Sequence, residues 1–81
     1  MTVHIVAEKY ETDTIASQFN VLLVTANLDK AKEFFEKTVL EDPRGFLKEN
    51  GIYTRCEDYI ESNYVEGSVS YQIISREVLD I

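Results

Sequence analysis

The residues with the greatest capacity for chemistry in this sequence are one histidine, one cysteine and a run of carboxylates. His4 and Cys56 are each the single residue of their type. Nucleophilic catalysis needs a nucleophile beside a base that a third group orients, and we expect these two residues on different elements. His4 should face solvent near a strand end, and Cys56 should be a small core residue. We therefore expect no enzyme activity and no catalytic residue.

Cofactor and metal chemistry is not supported by the sequence either. One histidine and one cysteine cannot supply the four ligands of a structural zinc site. The acidic clusters lack the spacing and central glycine of a calcium loop. Gly45, Gly51 and Gly67 are too scattered for a loop that cradles phosphate. We expect no cofactor and no metal.

The carboxylates are concentrated between Cys56 and Gly67, where there is no lysine or arginine. We take six residues of this segment as candidate partner-binding residues: Glu57, Asp58, Tyr59, Glu61, Tyr64 and Glu66. On a helix, Glu57, Asp58 and Glu61 would be neighbours, and their repulsion would cost stability. A functional interpretation explains that cost, because an acidic patch with tyrosine anchors suits a basic groove. The alternative is a solvated helix face with both tyrosines in the core.

Hydrophobic patterning predicts the elements that position this segment. Alternation of apolar and polar residues predicts a first strand at about 2–10 and a last strand at about 69–78. A run that is apolar on both faces predicts a central, covered strand at about 20–25. Helical spacing of apolar residues after the N-cap Asn27 predicts the main helix at about 28–40.

The stretch between the main helix and the last strand is less regular. Asp42 and Pro43 predict a short helix that ends near Asn50. Residues 54–64 have apolar residues at helical intervals, so we prefer a second helix there. A strand through Ile52, Thr54 and Cys56 competes with it, and Gly67 and Ser68 predict a turn.

Together these elements predict an α+β fold in a single domain over residues 1–81. We expect a three-stranded antiparallel sheet (about 2–10, 20–25 and 69–78), the main helix at about 28–40, and one or two short helices between 43 and 64. The helix packs on one sheet face. The other face is either covered by the 43–64 segment or open to a partner or a second copy.

Net charge restricts the partners. Fifteen acidic and eight basic residues leave a net charge of −7, which disfavours direct binding to nucleic acid or to an anionic membrane. The same charge favours association with a basic protein surface. A single cysteine cannot form an intrachain disulfide and is typical of the reducing cytoplasm. We therefore expect a cytoplasmic protein that binds another protein.

Parts of the sequence resemble small proteins of bacteriophages and mobile elements. The segment Asn27-Leu28-Asp29-Lys30-Ala31-Lys32-Glu33-Phe34-Phe35 after strand two, and the closing Tyr71-Gln72-Ile73-Ile74-Ser75-Arg76-Glu77, are similar to theirs. The resemblance spans about half the chain. Segment 43–66 has no counterpart, and the ending Arg76-Glu77-Val78-Leu79-Asp80 departs from the usual Arg-Glu-Leu-Asp.

In size, acidity and lack of an active site, the chain is similar to anti-CRISPR and other anti-defence inhibitors. That resemblance implies an inhibitor in the host cytoplasm that presents an acidic, DNA-mimicking surface to a nucleic-acid-binding defence protein. The alternative is a small homo-oligomeric structural, assembly or regulatory protein. In that case the bare sheet face or the edge of strand 69–78 would pair with a second copy, as in a homodimer.

Overall fold

The fold is a five-stranded antiparallel sheet with two helices. A computed structural model describes residues 1–12, 17–52, 54–64 and 67–79, with the side chain of residue 64 left out. Its elements are β1 (Thr2–Thr12), β2 (Gln18–Thr25), α1 (Leu28–Glu41), α2 (Phe46–Asn50), β3 (Thr54–Cys56), β4 (Tyr59–Tyr64) and β5 (Gly67–Glu77). The strand order is β2-β1-β5-β4-β3, and each neighbouring pair is antiparallel.

The predicted three-stranded sheet is therefore wrong, and so is the predicted helix at 54–64. That segment forms the β3–β4 hairpin, and β4 pairs with β5 from Tyr59 opposite Gln72 to Tyr64 opposite Gly67. The pattern of Tyr59, Ile60 and Glu61 fits a strand as well as a helix. Pairing with β5 decides the outcome, since it buries Ile60 completely and separates carboxylates that a helix would crowd together.

Three strand positions also differ from the prediction. β2 is an edge strand and not a central one, because β1 has β5 on its other side. β5 is the central strand of the sheet, so the edge of strand 69–78 is not available for pairing with a second copy. Gly67 and Ser68 begin β5 and do not form a turn, since they pair with Thr12 and Glu11 of β1.

The main helix lies where the sequence predicts it. The Asn27 side chain accepts a hydrogen bond from the Lys30 N–H at 3.2 Å, which caps the first turn. Thr38 and two apolar residues, Ala31 and Phe35, form its buried side. The helix ends at Asp42, which takes a left-handed conformation with φ of 47°.

The short helix α2 starts a few residues later than predicted but ends at Asn50 as expected. Gly45 takes the N-cap position in place of Asp42, but Asp42 still supplies the capping side chain. The Asp42 carboxylate reaches past Pro43 and accepts hydrogen bonds from the N–H groups of Leu47 and Lys48, at 3.1 and 2.9 Å. This carboxylate satisfies two backbone donors that the helix itself leaves unpaired.

Both helices lie on the same face of the sheet and share one core. The buried apolar residues that contact one another are Val6, Ala31, Phe35, Leu47, Ile60, Val69 and Tyr71. Because the register places Val6 opposite Ile73, and Tyr71 opposite Ile60, these strand residues share one face. We call this the helix face. The 43–64 segment does not cover the opposite face, contrary to one of the two possibilities above.

An ion pair between the buried Glu8 and the exposed Arg44 links the α1–α2 connection to the sheet. Glu8 on β1 accepts hydrogen bonds from Arg44 at 2.9 Å and from Asn20 at 3.1 Å. Arg44 also lies over the ring of Tyr10, 4.8 Å from its centre. Burial raises the pKa of Glu8, but the hydrogen bonds from Arg44 and Asn20 and the charge of Arg44 outweigh that effect. The pKa of Glu8 therefore lies below its ordinary value.

Replacement of Gly67 tests the central strand pairing. A Cβ at this position would lie 1.9 Å from the Glu11 carbonyl oxygen of β1, so the two strands would have to separate. We expect Gly67→Ala to lower the free energy of unfolding by about 2–4 kcal/mol. The control is Gly45→Ala, where φ is 72° and an added Cβ would meet no atom within 4 Å apart from its chain neighbours. There the left-handed backbone alone should lower the free energy of unfolding by about 1 kcal/mol. If urea unfolding shows the same loss of stability for Gly67→Ala and Gly45→Ala, the β1–β5 register is contradicted.

The Glu8–Arg44 pair predicts a loss of stability in acid. The pKa of Glu8 is lower in the folded state than in the unfolded state, where it is near 4.5. The ionised Glu8 therefore contributes fully to the free energy of unfolding above the unfolded-state pKa, and this contribution is lost as pH falls through the folded-state pKa. We expect Glu8→Gln to cost about 1–2 kcal/mol at neutral pH, because Arg44 is partly solvated. The difference from wild type should shrink below about pH 4.5. The control is Glu33→Gln, at an exposed helix position, which should leave the free energy of unfolding nearly unchanged. A destabilisation by Glu8→Gln that stays the same from neutral to acid pH would show that the loss of stability in acid does not come from Glu8.

Candidate functional site

The sheet face opposite the helices is the most unusual surface of the protein. Side chains alternate between faces along a strand, so Ile5, Ala7 and Lys9 of β1 point away from the helix face. Their partners in β2 and β5 share that side. No element of the described chain packs on this surface, which we call the open face.

One half of the open face is apolar. On β1 and β5 it contains Val3, Ile5 and Ile74, which are half-buried, and Ala7, which is fully buried. On β2 it contains Phe19, Val21 and Val24, which are 52%, 56% and 56% exposed. A solvated face of an antiparallel sheet is normally polar, so this half departs from the expected pattern.

A bulge in β2 shapes the edge of the apolar half. The pairing steps from Val6 opposite Leu23 to Ala7 opposite Val21, which leaves Leu22 as the extra residue. Leu22 is 37% exposed. Strand β2 contains no charged residue and no proline, although edge strands are usually protected by such residues.

The other half of the open face is polar. Lys9 and Glu11 form an ion pair at 3.1 Å. On β4 the Tyr59 hydroxyl donates a hydrogen bond to Glu61, and this bond raises the pKa of Tyr59. Cys56 on β3 is exposed and is not the core residue that the sequence suggested. The open face therefore grades from apolar at the β2 edge to polar at β3 and β4.

The described residues among the six predicted partner-binding positions do not lie on one acidic face. Glu57 and Asp58 lie in the β3–β4 turn, where Glu57 pairs with Lys32 of α1 at 3.1 Å. Tyr59 and Glu61 lie on the open face. The side chain of Tyr64, and all of Glu66, lie outside the described residues. Glu57 points toward α1, where it contacts Lys32, whereas Glu61 lies on the opposite side of the sheet.

Sequence reasoning missed a contact between His4 and Ser75. The β1–β5 register places them opposite each other on the helix face, and His4 Nδ1 lies 2.7 Å from Ser75 Oγ. A cavity of about 300 Å³ lies beside Ser75, lined also by Leu28, Lys32, Glu57, Asp58 and Ile73. The spacing in sequence, 71 residues, gives no local signal of this pair.

The His4–Ser75 pair joins a possible nucleophile to a possible base, but it lacks the rest of a catalytic site. A working pair also needs a group that orients the second imidazole nitrogen, and donors for a developing oxyanion. Among the described residues, His4 Nε2 has no hydrogen-bond partner. We interpret the pair as a cross-strand contact that joins β1 to β5.

Metal sites and membrane-spanning helices are two further features that would indicate a function. In the described ranges, no three histidine, cysteine or acidic side chains come together as a metal site would require. Within those ranges, no helix has the length and apolar character needed to cross a membrane. Comparison with known protein families, curated protein sequences and solved structures finds no match to this chain.

The exposure of Cys56 gives a direct check on the β3–β4 hairpin. Because the thiol is exposed on β3, a thiol-reactive dye should label it in the native protein about as fast as in urea. Cys56→Ser should abolish labelling, since the chain has one cysteine. Labelling that requires unfolding would show that this residue is in the core and that the hairpin is misplaced.

Proposed function

We propose that this chain is a non-catalytic protein-binding domain that acts through the apolar half of its open face. The observation that carries the proposal is the exposure of Phe19, Val21 and Val24 beside the half-buried Ile5 and Ile74. Contiguous exposed apolar patches on soluble domains mark interaction surfaces. Such a surface is retained at a cost in solubility, which binding to another protein offsets.

The shape of the surface favours a protein over a small molecule. Small-molecule sites are concave and enclose most of their ligand, whereas the open face is one side of a sheet. An uncharged edge strand borders it, and edge strands and their adjacent faces are common protein-docking surfaces. The absence of catalysis stays a prediction from the sequence, and the incomplete surroundings of the His4–Ser75 pair support it.

The acidic inhibitor is the second candidate function. Its support is the net charge of −7 and the exposed Glu57 and Asp58 at the tip of the β3–β4 hairpin. Such an inhibitor would present the turn, and not the open face, to a basic protein in the cytoplasm. We rank it second because Glu57 is paired with Lys32 and most other described carboxylates have basic or polar partners of their own.

Site-specific crosslinking separates the two candidates. A photo-crosslinking phenylalanine analogue would replace Val21 on the open face, Asp58 in the turn, or Leu40, which is 86% exposed on α1 and serves as the control. Irradiation of cells that express each variant should give a protein adduct from position 21 and none from position 40.

The remaining outcomes of this experiment are also decisive. An adduct from position 58 alone that disappears at high salt would support the acidic inhibitor instead, because exposed charges are screened. Adducts that form equally from positions 21 and 40, or from none of the three, would refute the open face as the binding surface.

A further inference from the structure

The net charge of the open face differs from that of the whole chain. Among the described residues, its charged side chains are two basic and two acidic ones: Lys9, Arg76, Glu11 and Glu61. The charges of the described residues on the open face therefore sum to zero, while the whole chain carries −7. A basic partner would be attracted to the other surfaces and would gain nothing from charge at this one.

A second copy of the chain is the partner that this charge distribution suits. Two copies at −7 each repel one another in most orientations, and the repulsion is smallest when the neutral faces meet. A two-fold axis would bring apolar half against apolar half, as an isologous interface requires. The polar half has a net charge of −1 from Lys9, Glu11 and Glu61, and Arg76, opposite Val3 at the end of the apolar half, offsets it.

The dimensions of the protein leave room for such an interface. The chain measures 44 by 25 Å along its two longer axes, so the projected area of the sheet face is at most about 1,100 Å². Standard interfaces bury about 600–1,000 Å² per partner. An upper bound of this size leaves room for a standard interface that uses most of the face, whereas the apolar half alone lies below that range.

The single chain also exposes more surface than a compact monomer of its mass. Its accessible surface is 5527 Å², whereas a 9.3 kDa monomer is expected to expose about 5,000 Å². The radius of gyration is 13.5 Å, against about 12 Å for a compact domain of this length. Both differences reflect an elongated domain with one sheet face uncovered, and that face is the surface a second copy would cover.

We propose that the protein is a homodimer in which two open faces pack against each other through their apolar halves. Two sheets packed in this way lie about 10 Å apart, and side chains of both inner faces form a shared core. Val21, Val24, Ile5 and Ile74 of each copy fill that core, and Leu22 lies at its border. This inference rests on the proposed function and names the partner of that same surface.

The expected evidence is a concentration-dependent dimer. Sedimentation velocity from about 1 to about 200 µM should show twice the 9.3 kDa chain mass at the upper concentrations. Val21→Lys with Val24→Lys should leave a monomer at every concentration, because it buries four like charges at the two-fold interface. Leu40→Lys is the matched control, since it adds a charge at an exposed apolar position away from the face, and it should dimerise as wild type does.

A milder variant distinguishes a weakened interface from an unfolded chain. Val24→Thr keeps the shape and strand preference of valine but adds a hydroxyl. It should weaken dimerisation about tenfold, while circular dichroism stays unchanged. Raised salt should strengthen the wild-type dimer, because it screens repulsion between the two acidic chains.

Two results would overturn the inference. One is a wild-type monomer at the highest concentration, and the other is a dimer that survives in the folded double-lysine variant or is as tight in Val24→Thr as in wild type. If the wild-type chain is a monomer but position 21 still crosslinks to a different protein, the homodimer is refuted and the proposed function is retained. Loss of both the dimer and that adduct would remove the proposed function as well.

Discussion

Helix α1 has one apolar side, and it can therefore cover only one face of a sheet. In this protein Ala31 and Phe35 are placed against β1 and β5, and α2 joins them on the same face through Leu47. The short chain contains no further helix among its described residues to cover the opposite side. Two features follow from this restriction. The core is one layer thick, and one sheet face meets solvent. The Glu8–Arg44 pair links the α1–α2 connection to β1.

The distribution of charge complements that arrangement. Several acidic side chains on the helix side are paired with bases, as in the pairs of Glu36 with Arg55 and Glu57 with Lys32. The open face instead combines a neutral set of charges with exposed valines. In the proposed dimer, hydrophobic burial at the open face drives association against the repulsion between two chains of net charge −7. That repulsion is smallest when the two open faces meet, so electrostatics selects the orientation of the two copies.

The sequence predicts those parts of the fold that local signals determine. The Asn27 cap and the spacing up to Phe35 locate α1, and the apolar alternation locates β1 and the bulk of β5. Elements that depend on distant partners are not predictable in this way. Ile60 is compatible with a helix until β5 is placed beside it, and the His4–Ser75 contact exists only in the β1–β5 register.

The predicted helix at 54–64 was wrong for the same reason, and the single acidic face argued from it is lost with it, while a role for these residues in binding a partner stays a prediction. A local signal of the open face was present in the sequence all the same. Strand β2 is apolar on both sides, which is typical of a central strand. The sheet order instead puts β2 at an edge with Val21 and Val24 exposed. Burial on both sides of β2 is thus restored if a second molecule covers the open face.

That claim can be tested most directly by isotope-filtered nuclear Overhauser spectroscopy on a mixture of labelled and unlabelled chains. Such spectra report only contacts between different copies. Our account predicts intermolecular contacts among the methyl groups of Ile5, Val21 and Val24, and none from Leu40 on the far side of α1. Intermolecular contacts that are absent at high concentration, or that centre on Leu40, would contradict it.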